Sequence, residues 1–289
     1  MAIVGFIGIG IMGESMSANI VKAGHEVFVY DINKDQVKKL VDLGAKSADS
    51  VEEIAKRCKL IFIMVPKSEH VIDVIEKLLP HLQEESIVCD MSTISPTVSK
   101  NLAKKVAEKK AIMLDAPVVK SKAAAITGDL GILVGGDEGA FEQIKPILKC
   151  MGKNIIRMGP NGSGLAMKLC HNYLVAQIQE GVNEMLTLAS KAGLDFESVI
   201  KAISYGGGQN FYLDSKGDTI KKRDFSPKFP LEHMEKDIKL TEEFAKDLGL
   251  KLPALEIVKK IYDEGIKEGL AREDFSASIK IVEKLAKHE

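Results

Sequence analysis

Along the first half of the chain, short aliphatic runs rich in β-branched residues alternate with stretches whose apolar positions recur at helical spacing. The runs predict strands at 2–7, 26–31, 60–65, 86–90, 112–115 and 131–134. The periodic stretches between them predict helices over 12–23, 34–43, 69–79, 96–109 and 138–151. Strands separated by helices of ten or more residues require crossover connections, and these build a parallel sheet. Phe62-Ile63-Met64-Val65 and Ile87-Val88 are apolar without alternation, as expected of strands covered on both faces.

The pattern changes near residue 160. Gly159-Pro160-Asn161-Gly162-Ser163-Gly164 is turn chemistry, and a long apolar helical stretch follows over 165–191. A helix that is apolar on most sides belongs inside a structure. Beyond it, caps and glycine stops predict helices at 195–204, 232–247, 253–268 and 276–287. The architecture is therefore an α/β domain over 1–161 and an all-α C-terminal domain over 162–289 that opens with the long helix.

Composition agrees with two folded domains and narrows the class. The chain has 289 residues, 45% hydrophobic and 28% charged, against a prior of about 150 residues per domain. Lys and Arg number 40 and Asp and Glu 41, a net charge of −1. With the signs interspersed and no tryptophan, nothing suggests nucleic-acid binding by bulk charge or base stacking. There is no run of 18 apolar residues and no basic, cleavable leader, so neither a membrane span nor a signal peptide is expected. Cys58, Cys89, Cys150 and Cys170 are widely spaced without a C-x-x-C. They read as reduced, buried thiols of a cytoplasmic protein, with no metal site.

Gly8-Ile9-Gly10-Ile11-Met12-Gly13 follows the first strand and opens a helix. Gly8 permits the tight turn, Gly10 lets a pyrophosphate approach the backbone, and Gly13 allows helix to pack on strand. The helix N-terminus around Ile11 and Met12 supplies positive potential. Asp31 ends the second strand 18 positions after Gly13, where a carboxylate accepts hydrogen bonds from ribose hydroxyls. These features make the first domain a Rossmann-type doubly wound parallel sheet. A carboxylate at Asp31 repels a 2′-phosphate and no Arg lies nearby, which favours NAD over NADP, with Lys34 the one feature against.

Five stations in order give the chain a wider likeness. They are the glycine motif; Asp90-Met91-Ser92-Thr93-Ile94-Ser95-Pro96; Asp115-Ala116-Pro117-Val118 with Gly128 and Gly135-Gly136; Gly162-Ser163-Gly164 with Lys168 and Asn172; and Phe229-Pro230-Leu231 with Lys236-Asp237. In these the chain resembles the β-hydroxyacid dehydrogenases, which include 3-hydroxyisobutyrate dehydrogenase, over nearly its whole length. Gly164, Lys168 and Asn172 are spaced i, i+4, i+8 and share one helix face. A lysine among Met167, Leu169 and Cys170 is costly to bury charged without a use. The resemblance implies that Lys168 is the general acid and base for hydride transfer, with Asn172 orienting it or the substrate. It implies that Thr93, Val65 and Pro66 meet the nicotinamide side of the cofactor and that Lys236 reaches the cofactor. It further implies that Thr93, Phe229 and Asp237 belong to the substrate pocket. For Asp237 a surface ion pair is the competing reading.

One loop departs from the family. Many relatives follow Asp-Ala-Pro-Val with Ser-Gly-Gly, which holds a substrate carboxylate; here the chain reads Val119-Lys120-Ser121-Lys122. Lys120 adds a full cation to a backbone anion nest, unless it simply points to solvent. The following Ala123-Ala124-Ala125-Ile126-Thr127-Gly128 resembles the sulfolactaldehyde reductase branch, although lysine replaces the usual arginine. The substrate expected is a small anionic hydroxy acid or semialdehyde. A sulfonated three-carbon aldehyde ranks above the 3-hydroxyisobutyrate, tartronate semialdehyde and succinic semialdehyde or glyoxylate types. A non-catalytic dinucleotide-binding module is the reading from another class, disfavoured by the presence of both Lys168 and Asn172. Gly206-Gly207-Gly208-Gln209-Asn210 is either a flap over the pocket or a helix–helix turn. The family also implies a homodimer or homotetramer.

Overall fold

The computed structural model describes residues 1–287, which form two compact units, Met1–Lys168 and a second beginning at Leu169. The first unit contains nine strands: β1 (Ile3–Ile7), β2 (Glu26–Tyr30), β3 (Lys46–Ser47), β4 (Leu60–Ile63), β5 (Ile87–Asp90), β6 (Ile112–Asp115), β7 (Val118–Val119), β8 (Leu130–Gly135) and β9 (Gly152–Gly159). They form one sheet in the order β3-β2-β1-β4-β5-β6-β8-β7, with β9 on β8. The first six are parallel, in the doubly wound order 3-2-1-4-5-6.

Helices α1 (Gly13–Lys22), α2 (Lys34–Asp42), α3 (Val51–Arg57), α4 (Ser68–Leu78), α5 (Pro96–Ala107) and α7 (Glu138–Met151) lie between the strands and cover the faces, and the short α6 (Lys122–Ile126) lies between β7 and β8. Val4, Phe6, Val27, Val29 and Phe62 are buried on one face with Met16 and Ile20 of α1. Ile7, Ile61, Ile63 and Val88 are buried on the other with Ile54, Ile75 and Leu102. Burial on both faces explains why these strands read as unbroken apolar runs.

The strand register matters most for function. Tyr30, Ile7, Ile63, Asp90 and Asp115 stand side by side in one row across β2, β1, β4, β5 and β6. Everything that follows each of them leaves from the same carboxyl edge, where open α/β sheets bind ligands.

Two features differ from the sequence expectation. The strand expected at 131–134, β8, is parallel to β9 but runs antiparallel to both β6 and β7. Between Asp115 and Leu130 lie the two-residue β7 and the five-residue α6, too short together for a crossover. The long helix α8 (Ser163–Lys191) is also not interior on all sides. Cys170, Leu174, Gly181, Glu184 and Leu188 recur along an exposed stripe, with Leu174 56% and Leu188 73% exposed. Cys170 is thus an exposed thiol, contrary to the burial expected of it, whereas Cys58 and Cys89 are buried.

The second unit contains the rest of α8 with α9 (Phe196–Ile203), α10 (Phe211–Lys222), α11 (Leu231–Asp247), α12 (Pro253–Lys267) and α13 (Ile279–Leu285). A 3-10 turn over Phe275–Ser278 precedes α13. The core is built from Val182, Leu186, Leu213, Met234, Ile238, Ile261, Tyr262 and Ile281. Within it Lys216 donates to both oxygens of Asp274, at 2.8 and 2.9 Å. Asp274 also accepts from the Lys228 and Phe229 N–H groups, so the buried pair anchors the segment ahead of α11. No helix among the described residues is long and apolar enough to cross a membrane.

Candidate active site

The glycine turn shows three separate physical demands. Gly8 has φ +96°, and a Cβ there would lie 2.2 Å from the Met64 carbonyl oxygen. A Cβ on Gly13 would lie 2.0 Å from the Gly8 carbonyl oxygen and 3.2 Å from the Phe6 ring. Both glycines are therefore required by the fold itself. Gly10 is different: no protein atom lies within 4 Å of where its Cβ would stand. Next to it Met12 is the N-cap of α1 and makes no side-chain cap bond. An open cradle at an uncapped helix N-terminus fits a pyrophosphate.

Asp31 ties the second strand's end to this turn. Its Oδ2 accepts from the Ile9 N–H at 2.6 Å and its Oδ1 from the Asn33 N–H at 2.7 Å. Each oxygen retains a lone pair for a ribose hydroxyl. Lys34 lies with Nζ 4.8 Å from the centre of the Tyr30 ring, a cation–π contact.

The ends of β4 and β5 are joined by a small relay. Ser92 N–H donates to Asp90 Oδ1 at 3.0 Å, and Ser92 Oγ accepts from the Val65 N–H at 2.9 Å. Val65 is half-buried, Pro66 exposed and Thr93 half-buried at this edge. The sequence reading placed Val65, Pro66 and Thr93 in the site but missed Ser92 as the link between them.

Asp115, named in the sequence only as part of a family motif, sets the start of α8. Its Oδ1 accepts from the Gly162 N–H at 2.6 Å and its Oδ2 from the Leu165 N–H at 2.9 Å. Burial pushes its carboxyl up from the usual range, against these N–H donors. A Cβ on Gly164 would lie 2.3 Å from the Leu133 carbonyl oxygen, so the helix start is seated directly on β8. One turn further on, Lys168 is buried, with 7% exposure.

In the helical unit, Asn172 is buried and its Nδ2 donates to Asp237 Oδ2, while its Oδ1 stands 2.9 Å from His171 Nδ1. Asp237 is 2% exposed, which removes the reading of a surface ion pair on a charged helix. Its Oδ1 makes no well-directed hydrogen bond but stands 3.0 Å from Lys236 Nζ. Phe229 is half-buried, edge-on to His233 and Phe275. Gly206–Gly208 form the turn ahead of α10, whose cap is Asn210, accepting from the Leu213 N–H at 2.8 Å.

The departing loop is a hairpin. Val119 lies over Gly131, whose Cβ would be 2.4 Å from a Val119 methyl. Lys120 and Ser121 are exposed, and Lys120 is left-handed at φ +81°. Its amine is not free in solvent: Nζ donates to Asp129 Oδ2 at 2.7 Å.

The fold and the edge residues together define a Rossmann-type oxidoreductase with a helical second domain, and comparison with known proteins gives its family. A family model described as the NAD-binding domain of 6-phosphogluconate dehydrogenase matches residues 3–159. One described as the NAD-binding region of NADP-dependent 3-hydroxyisobutyrate dehydrogenase matches residues 162–282. The chain is 37% identical to 2-hydroxy-3-oxopropionate reductase of Escherichia coli over 289 residues, covering 99% of this chain and 98% of that one. It is 32% identical to the 3-sulfolactaldehyde reductase of the same organism, covering 98% and 96%. The solved structure of Mycobacterium tuberculosis 3-hydroxyisobutyrate dehydrogenase with L-serine superposes with a TM-score of 0.93 at 29% identity, covering 98% and 99%. The chain belongs to the β-hydroxyacid dehydrogenase family and is a nicotinamide-dependent oxidoreductase acting on CH–OH groups.

Proposed function

We propose that this protein is an NAD-dependent reductase that interconverts an aldehyde and a primary alcohol on a small anionic acid, with 3-sulfolactaldehyde the leading substrate. The observation that carries the chemistry is Lys168, a buried amine one turn into a helix whose start is fixed by Asp115 and Gly164. A lysine is not left 7% exposed without a role that offsets its desolvation.

The residues divide the work as follows. Gly8, Gly10 and Gly13, with the backbone at Ile11 and Met12, hold the pyrophosphate, and Asp31 holds the adenosine ribose. Asp31 and the parking of Lys34 on Tyr30 favour NAD over NADP. Val65, Pro66 and Thr93 line the nicotinamide side, and Lys236 is assigned to the cofactor on the family likeness. The hydride that reduces the carbonyl carbon is the chemistry that a bound nicotinamide supplies. Lys168 Nζ gives a proton to the carbonyl oxygen as it becomes an alkoxide, and takes it back in the oxidative direction. Asn172, held by Asp237, orients Lys168 or the substrate hydroxyl. Thr93, Phe229 and Asp237 are assigned to the substrate on the family likeness, and Val119, Lys120 and Ser121 on the departing loop.

The substrate ranking rests on the loop. Lys120 in place of a glycine supplies a cation, which suits a sulfonate in addition to backbone N–H donors. Substrates of the carboxylate type, such as tartronate semialdehyde, 3-hydroxyisobutyrate and succinic semialdehyde or glyoxylate, form the second reading, favoured by the 37% identity to 2-hydroxy-3-oxopropionate reductase. The two domains are a dinucleotide-binding domain over 1–161 and a helical substrate and oligomerisation domain over 162–289. Self-association as a homodimer or homotetramer, supported by the exposed Leu174 and Leu188, and a cytoplasmic location complete the proposal.

The test is the steady-state rate of NADH consumption on this aldehyde panel. The highest kcat/KM is expected for 3-sulfolactaldehyde, and Lys168→Ala is expected to lower kcat about 10²- to 10⁴-fold on every substrate. A carboxylate aldehyde that outruns the sulfonate replaces the first substrate with the second. Wild-type rates surviving in Lys168→Ala would remove the amine from the chemistry.

A further inference from the structure

The β7–β8 hairpin carries Lys120 past the edge where the cofactor is proposed to bind. Asp115 pairs with Gly135 and Val119 with Gly131, so the ladder continues four residues beyond β6 in unbroken register. At about 3.3 Å per residue, Lys120 lies about 16 Å along the hairpin from Asp115, on the carboxyl side of the sheet. There its amine is already occupied. Asp129, the residue that precedes β8, accepts its hydrogen bond at 2.7 Å, and both side chains stay partly exposed, 40% and 36%.

Three further observations characterise this contact. Lys120 holds φ +81°, a conformation that favours glycine, so the hairpin imposes the backbone at this position against the residue's own preference. The Asp129 carboxyl is held below its usual range, first by the bond from Lys120 and then by charge from Lys120 and Lys153. Lys153, at the start of β9, stands 3.8 Å from the other carboxylate oxygen. If Lys120 turns to another anion, Asp129 is not left bare, because a second cation is already beside it.

We infer that Asp129 is an affinity-setting residue: a built-in competitor for the Lys120 amine that an incoming substrate anion must displace, with Lys153 neutralising Asp129 after the exchange. The inference rests on the proposed role of Lys120 as anion receptor and adds what that receptor is doing before substrate arrives. An intramolecular carboxylate at contact distance competes at a high effective concentration. It therefore weakens the binding of every simple anion and admits best those with oxygens to spare for neighbouring backbone N–H groups.

Calorimetric titration of propane-1-sulfonate into the NADH-saturated protein tests this. Asp129→Asn keeps the size and shape of the side chain and removes its charge. It is expected to lower the dissociation constant about two- to five-fold, the range an exposed ion pair supports. Lys120→Ala is expected to raise it, and the double variant to match Lys120→Ala alone. If Lys120→Ala weakens binding while Asp129→Asn leaves it unchanged, the competitor role is overturned and Lys120 stands as receptor. A gain from Asp129→Asn that persists without Lys120 also overturns it, because bulk charge then explains the effect. Binding unaffected by Lys120→Ala, or no saturable binding to the native protein, removes both the receptor and its competitor.

Discussion

Asp115 and Leu165, fifty residues apart, are joined by a 2.9 Å hydrogen bond from the Leu165 N–H to the Asp115 carboxylate. With the 2.6 Å bond from Gly162 N–H to the other oxygen, Asp115 acts as the N-terminal cap of α8, supplied by a neighbouring strand instead of by the helix. The arrangement places the lysine-bearing turn relative to β6. Asp115→Ala leaves two buried N–H groups without partners. It is expected to destabilise the fold by about 2–4 kcal/mol, read as a lower urea midpoint at unchanged m-value. Because Lys168 follows one turn later, kcat should fall more than KM rises. A kcat equal to wild type would show that the cap does not position the amine.

Asp237 holds the Asn172 amide from within the helical unit, and Lys236 faces its second oxygen. Asn172 donates through Nδ2, which leaves Oδ1 toward His171. Asp237→Ala frees the amide to rotate and strands a buried Nδ2. The expected outcome is a kcat reduced about tenfold or more with the protein still folded by circular dichroism. NADH affinity should change much less, as measured by quenching of the bound nicotinamide's fluorescence. Equal losses in NADH affinity and in kcat would move Asp237 from substrate positioning to cofactor binding.

Glu180 gives the helical unit a pH dependence with a definite sign. It is buried on α8, accepts from Asn183 Nδ2 at 3.1 Å, and neighbours Tyr262 and Ser278. Burial pushes its carboxyl up to about 7 from 4.5, outweighing the hydrogen bonds. The folded state thus holds a proton that the unfolded chain releases. The stabilisation is complete below pH 4.5, shrinks as pH rises and is lost above about 7. Glu180→Gln should flatten this slope in urea titrations and stabilise the protein at pH 8 by about 1–3 kcal/mol. A variant whose slope matches wild type would place the titration elsewhere.

The parts of this fold that were legible in the sequence are those whose stability is local. β1, β2, β4, β5 and β6 are short, buried on both faces and separated by periodic helices, and the glycine turn follows β1 directly. α3 was overlooked although it has a local signal, Ser50 accepting from the Glu53 N–H and Glu53 from the Asp49 N–H. α10 had no such signal. Its central Lys216 is buried by an aspartate 58 residues away, and Gly217 makes room for Ile200. The antiparallel turn of β8 follows from the short link to β6, which the apolar run at 131–134 does not reveal. In the site, helical spacing put Lys168 and Asn172 on one face, and their roles came from the family likeness. The roles of Asp115 and Asp129 were not legible, because each works through a partner that only the folded chain brings close.

The glycine turn separates folding from binding more sharply than any other feature. Gly8 and Gly13 would each put a Cβ within 2.2 Å of a backbone oxygen, whereas Gly10 has nothing within 4 Å and no left-handed φ. Gly8→Ala should therefore unfold or severely destabilise the first unit, with loss of soluble expression or a thermal midpoint many degrees lower. Gly10→Ala should fold with a stability within about 0.5 kcal/mol of wild type, because the methyl group meets no protein atom. The space it takes is where the pyrophosphate is proposed to approach the backbone. Its NADH dissociation constant is accordingly expected to rise at least about tenfold, equivalent to about 1.4 kcal/mol. A Gly10→Ala protein that binds NADH as tightly as wild type would mean that the open ground beside Gly10 is not the phosphate cradle, and the cofactor would have to enter the carboxyl edge by another route.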